Sequence, residues 1–181
     1  MIISIDPGIN NCGVSVIDIA TQFEVKESHL VKNTRKFTDP EKAVETIYGS
    51  RTVKVQAILT KLEELLVKYP DVTMLTIEAP FYNALTPMAY GSLLEVIFAV
   101  KYDFILKHNL QFKLIEPLLV KKHFAKNHQA KKEHMRQFMH TRKTDGSIIM
   151  PNINVDDMSE HEIDSVAVGF VYYAGLKESS T

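Results

Sequence analysis

Ile2-Ile3-Ser4-Ile5-Asp6-Pro7-Gly8-Ile9-Asn10-Asn11-Cys12-Gly13 opens the chain with an apolar strand that ends on a carboxylate and turns at once through Pro-Gly. Side chains alternate across a strand, so Ile3 and Ile5 take one face and Ser4 and Asp6 the other. The turn Pro7–Asn11 leads back into a second strand, Cys12–Ile19, and Thr21-Gln22 leads into a third, Phe23–Lys32. Both connections are short enough for antiparallel hairpins. Asp6 is therefore placed near the middle of a sheet, where a carboxylate costs several kcal/mol unless a cation or hydrogen bonds compensate it. The competing reading makes Asp6 a structural cap for the Pro-Gly turn.

Beyond the meander, Asn33–Ser50 is polar, contains Asp39-Pro40 and Gly49, and reads as a loop with room for one helical turn. Ser50 caps a helix to about Tyr69, carried by Val53, Ala57, Ile58, Leu62, Leu65 and Leu66 at helical spacing, and Pro70 stops it. Val72–Ala79 reads as a strand, Pro87–His108 as a long apolar helix and Phe112–Glu116 as a fifth strand. Two basic helices follow, near 117–125 and 130–142, then a loop, Lys143–Met158, turned by Asp145-Gly146. Ser159 caps a last helix to about Ala174. The order βββ-α-β-α-β-α-α-α predicts an α/β fold: a mixed five-stranded sheet, three antiparallel strands then two parallel, with helices on both faces. A single domain, 1–176, with a short polar tail, 177–181, is expected.

The 181 residues are 45% hydrophobic and 24% charged, enough for one packed core. No apolar run reaches the roughly 18–20 residues needed to span a bilayer, and the N-terminus lacks the basic start and apolar stretch of a signal peptide. Cys12 is the only cysteine, which excludes an internal disulfide or a cysteine zinc site and suits a reducing cytosol, bacterial or viral host. The net charge of −1 is unevenly spread. Residues 101–145 carry 11 Lys and Arg against 4 Asp and Glu, with five histidines, while the remainder is acidic. Such a stripe suits a protein that grips phosphates at one place and cations at another; a solvated helix face is the plainer alternative.

Two more segments carry acids where packing alone would not put them. In Thr76-Ile77-Glu78-Ala79-Pro80-Phe81, Glu78 stands near the end of the fourth strand, on the opposite face from Ile77. In Glu160-His161-Glu162-Ile163-Asp164-Ser165-Val166-Ala167, His161 and Asp164 share one helix face, with Glu160 also within reach of Asp164. Small residues Ser165, Ala167 and Gly169 let that helix approach the sheet. Taken singly, Glu78 reads as a surface acid and the helix acids as partners of the helix dipole. Taken together, they form a set of hard oxygen donors plus an imidazole that can gather divalent cations.

IDPGxxNxG at the start, IExxF after a middle strand and HxxDSxAVG in the last helix resemble the RuvC family of Holliday junction resolvases, over Ile2 to about Tyr173. The resemblance implies a ribonuclease H-like fold and metal-dependent cutting of DNA four-way junctions. It implies catalytic, metal-holding roles for Asp6, Glu78, Asp164 and His161, with Mg2+, replaceable by Mn2+, as two ions per site. Whether His161 or Glu160 completes the set stays open. It also implies DNA contact by Phe81, which can stack on an unpaired base, and by Lys121, Lys122, Lys131 and Lys132, with Lys132 also catalytic. A twofold homodimer is implied, supplying two sites for two symmetric strands; the strongly apolar 87–108 helix fits it. A branch-migration helicase is a further possible partner. The chain departs from the family in Ala79-Pro80, in the added loop 143–158 and in its lack of overall basicity. Rival readings are a sugar-kinase or actin-like ATPase, which needs more glycine and twice the length; a non-catalytic DNA-binding module; and a related nuclease of relaxed selectivity that cuts flaps or replication forks.

Overall fold

A computed structural model describes residues 1–82, 84–85, 87–126 and 132–179. Its sheet has five strands: β1 (Ile2–Asp6), β2 (Asn11–Asp18), β3 (Glu24–Lys32), β4 (Met74–Glu78) and β5 (Gln111–Ile115), in the order β3-β2-β1-β4-β5. β1 pairs antiparallel with β2 and parallel with β4, and β4 pairs parallel with β5. This is the expected mixed sheet. The central strand is β1, so Asp6 does end in the middle of the sheet.

Helices cover both faces. On one, α2 (Ser50–Lys68) and α3 (Pro87–His108) bury Ile58, Leu62, Val96, Val100 and Phe104 against Ile3, Ile5, Val14, Leu75 and Ile77. On the other, α4 (Pro117–Phe124), α5 (Lys132–Thr144) and α6 (Glu160–Glu178) bury Val120, Phe124, Met139, Ile163 and Val166 against Ile2, Ile17 and Val25. The alternation Ile3/Ile5 versus Ser4/Asp6 thus separates a wholly apolar face from the face that carries the acids. Among the described residues no helix is long and apolar enough to cross a membrane.

Two expectations fail. Ser50 does not cap α2, because it is the first helical residue, Gly49 holds the cap position and no side chain caps the helix. The 33–50 segment also contains a ten-residue helix, α1 (Asp39–Tyr48). Thr38 and Glu41 form a reciprocal capping box and Pro40 sits in the first turn, both helix-starting signals. The helix buries no residue, so its local capping shows in the sequence but an apolar stripe does not. α6 also runs beyond Ala174, to Glu178.

The loop before α6 is ordered by backbone pairing. Val25 N–H donates to Ile149 O (2.9 Å) and Ile149 N–H to Phe23 O (2.9 Å), adding a single bridge at the start of β3. A short 3-10 turn, Val155–Asp157, then leads to α6. Arg136 of α5 donates to Val155 O (2.5 Å) and Met158 O (2.7 Å), clamping the turn that sets the start of α6.

Candidate active site

The site forms where β1, β4 and α6 meet. Asp6 is 8% exposed at the end of β1 and pairs across the sheet with Gly13 of β2. Gly13 has a specific reason to be glycine. A Cβ there would stand 1.8 Å from the carbonyl oxygen of His161, so only a bare α-carbon lets the first turn of α6 lie against the sheet. Ser159 caps that turn, accepting from Glu162 N–H at 3.2 Å while Glu162 reaches back to Ser159 N–H at 2.9 Å.

One turn on, serines fix the helix to three strands. Ser4 Oγ donates to Ser165 O (2.6 Å), Ser165 Oγ meets Ser15 Oγ (2.6 Å), and Ser15 Oγ meets Ser28 Oγ (3.0 Å). At Gly169 a Cβ would meet Ile17 Cδ1 at 2.5 Å, so the close approach continues down the helix. The small residues read from the sequence are buried in this interface, as expected.

With α6 so placed, His161 Nδ1 stands 2.7 Å from Asp6 Oδ2. Of the two candidates for a fourth position, His161 meets Asp6, while Glu160 lines a pocket of about 280 Å³ together with Asp164, Glu133, Arg136 and His140. Glu78 comes from the neighbouring parallel strand. Burial pushes its carboxyl up to about 8, the fields of Asp6 and Asp164 push the same way, and Lys121 of α4 opposes them. One carboxyl therefore feels both other acids and the first of the candidate lysines. The thiol of Cys12 is pushed up to about 12, by burial first and by Asp6 second, which keeps it neutral and poorly suited to nucleophilic or ligand chemistry.

Among the described residues, no three His, Cys, Asp or Glu side chains converge on one point as ready-made ligands. What the site holds is a carboxyl, Glu78, under the fields of two others, Asp6 and Asp164, with an imidazole on Asp6. That donor chemistry fits hard divalent cations, which relieve the repulsion that the acids impose on one another.

Phe81, three residues past Glu78, is 67% exposed, and Tyr82 beside it is exposed and meets Tyr90 edge-on at 5.5 Å. Phe81 is therefore not part of the core. Lys121 and Lys122 are exposed on α4. Lys131 lies outside the described residues, and of Lys132 only the backbone, at the start of α5, is described. The sequence reading missed Gly13 as a seat for α6, the serine chain and the Arg136 clamp. The IDPGxxNxG spacing held a signal for the first; the other two depend on contacts more than ten residues apart.

Neither a protein-family model nor a curated protein sequence matches the chain. Solved structures do. Thermus thermophilus RuvC in complex with a Holliday junction substrate aligns over 99% of this chain and 96% of that one, with 17% identity and a TM-score of 0.68. The yeast mitochondrial Holliday junction resolvase aligns over 98% and 82%, at 14% identity and 0.61. The fowlpox virus resolvase, solved with Holliday junction DNA, aligns over 97% and 99%, at 12% identity and 0.57. Along nearly its whole length, then, this chain has the ribonuclease H-like fold of the RuvC-type resolvases.

Proposed function

We propose that the chain is a structure-selective DNA endonuclease that resolves Holliday junctions by metal-dependent phosphodiester hydrolysis, cutting two strands at symmetric positions. The observation that supports this most is that Asp6, from the neighbouring strand end, and Asp164, from α6, both act on the carboxyl of Glu78. Structural neighbours described with junction DNA favour the same substrate.

Asp6, Glu78, Asp164 and His161 would hold the cations, Mg2+ or Mn2+, as a pair. Such a pair supplies an activated water and charge stabilisation at the leaving oxygen. The chain's own contribution is to assemble the donors. The serine chain and Gly13 fix α6, His161 stands on Asp6, and the low polarity around Glu78 makes it a poor place for an uncompensated anion. Lys121 brings a positive charge to the same rim, where a phosphate enters. Lys122 adds to the basic surface of α4; Lys131 and Lys132 are assigned to DNA contact as well, and Lys132 to a further role at the reacting phosphate. Phe81 offers its ring to an unstacked base, which a crossover supplies cheaply and an intact duplex does not.

The homodimer belongs to this reading. α3 buries Val96, Val100 and Phe104 on one side and exposes Phe98 (69%), Tyr102 (62%) and Leu106 (67%) on the other, with the Phe98 and Tyr102 rings stacked at 5.9 Å. An apolar stripe of this kind suits a second copy related by twofold symmetry.

The test is cleavage of synthetic four-way junctions, flaps and duplexes side by side, with Mg2+ and with EDTA. Paired symmetric nicks in the junction alone, with 5′-phosphate ends and strict dependence on the cation, are expected. Asp6→Asn, Glu78→Gln and Asp164→Asn should each stop cutting and leave binding largely intact. Equal cleavage of flaps would move the assignment to a nuclease of relaxed selectivity, and cutting in EDTA would end the metal reading.

A further inference from the structure

Three connections meet beside the acid cleft, on the side away from Lys121, and one buried side chain joins them. Asn33, 4% exposed, is the first residue after β3. Its backbone N–H donates to Asn10 O (2.8 Å), and its side-chain amide donates to Ile9 O (3.0 Å) and to Lys54 O (3.1 Å). It thereby ties the loop that follows Asp6-Pro7-Gly8 to the end of β3 and to the first turns of α2. Lys54 completes the knot, its Nζ donating to Asn10 Oδ1 at 2.7 Å.

The register places a second lysine at the same edge. Lys32 pairs with Asn11, one two-residue step beyond the Gly13–Leu30 pair and on the same sheet face as the Asp6–Gly13 pair. Neighbouring strands lie about 4.8 Å apart and residues rise about 3.3 Å each, so the Lys32 α-carbon is roughly 12 Å from that of Asp6. That is within reach of a neighbouring phosphate for a long side chain. Lys121, felt by Glu78, stands toward the β4–β5 end of the same sheet edge.

Charge pairing separates these two lysines from the other cations nearby. Arg35 is engaged by both oxygens of Glu41 (2.8 and 2.5 Å), and Lys42 by Asp39 (2.8 Å). Neither Lys32 nor Lys54 forms an ion pair with a carboxylate among the described residues. Lys54 is held instead by a neutral amide, which orients the ammonium without cancelling it. Such an arrangement does little for stability, but it presents fixed positive charge to an anion.

We propose that Lys32 and Lys54, positioned through Asn33 and Asn10, form a second grip for DNA backbone phosphates, on the flank of the acid cleft opposite Lys121. A strand crossing the edge of the sheet is then held on both sides of the bond to be cut. This rests on the reading of the chain as a junction nuclease and adds to it a contact outside the basic 101–145 stretch.

The experiment is titration of a fluorescent four-way junction, in EDTA, across 50 to 200 mM KCl. The proteins are the wild type, Lys32→Ala/Lys54→Ala, Lys32→Arg/Lys54→Arg and Lys121→Ala, each checked for folding by circular dichroism. Losing two phosphate contacts should flatten the slope of log affinity against log salt by about 1.8. The advantage of wild type over the double alanine variant should then shrink about twelvefold across that salt range. The arginine pair should restore the wild-type slope. An unchanged slope and affinity in the double alanine variant, alongside a flattened slope in Lys121→Ala, overturns the second grip and leaves the nuclease reading standing. Failure of the arginine pair to restore binding also overturns it, because charge is then not what was lost. A wild-type protein that does not bind the junction ends both.

Discussion

Replacing Glu78 with glutamine should make the metal-free protein more heat-stable at neutral pH. Burial and the two neighbouring acids hold this carboxyl at about 8 against an ordinary 4.5. In the unfolded chain it gives up its proton near pH 4.5, while in the folded chain it keeps it to about pH 8. Between those values the folded state binds the extra proton, so stability falls as pH rises through the window and carries no such penalty below it. One proton corresponds to about 1.4 kcal/mol per pH unit, so by pH 7 the penalty is on the order of 3 kcal/mol. Glutamine has nearly the same volume and no charge to bury. For a chain of this size about 2–4 °C accompanies each kcal/mol, so Glu78→Gln should melt about 6–12 °C higher than wild type at pH 7 in EDTA. The assay is a thermal melt of both proteins from pH 5 to pH 8. The gap should be widest at pH 8 and close toward pH 5, and Mg2+ should narrow it by stabilising the wild type alone. Melting curves that stay parallel across the range, or a variant less stable than wild type at pH 8, would refute the argument.

Gly13→Ala should cost about 1–3 kcal/mol and most of the cleavage activity, because the new methyl group meets the backbone of α6 and not a flexible side chain; a melt and a junction assay on the same preparation check it. Phe81→Ala should leave thermal stability within about 0.5 kcal/mol. It should still lower junction cleavage about tenfold, through the roughly 1–3 kcal/mol of a lost stacking contact; a large fall in melting temperature with normal cutting would return the ring to the core. Phe98→Glu on the exposed side of α3 should convert a dimer to a monomer in sedimentation, with two coordinated nicks per junction becoming one.

How far the sequence could be read depended on the range of the interactions involved. Alternation along Ile2–Asp6 was sufficient to put Asp6 at a strand end on the face opposite Ile3 and Ile5, and the β1–β2 and β1–β4 registers agree with it. The apolar excess of 87–108 was visible as composition, and only the fold divides it into a buried side and an exposed one. α1 has no apolar spacing to announce it, since Thr38, Pro40 and Glu41 start this helix by capping alone. Asn33 was beyond reach for a different reason. Nothing in a polar stretch marks one asparagine as the buried bridge between residues 9 and 54, because each of its partners is more than twenty positions away. The contact of His161 with Asp6 also depends on the position of α6 against β2, which Gly13 sets.

The docking of α6 on β1 and β2 makes the cleft a late product of synthesis. Asp6 leaves the ribosome 155 or more positions ahead of His161 and Asp164. A chain still being translated can form the opening meander and bind α2 across it. It cannot hold a third acid until the helix that carries it has followed. On the proposed function, cutting is therefore withheld from chains that have not yet completed α6, by connectivity alone. The same long-range closure predicts slow folding for a protein of this size, since the pairing that completes the site spans most of the sequence.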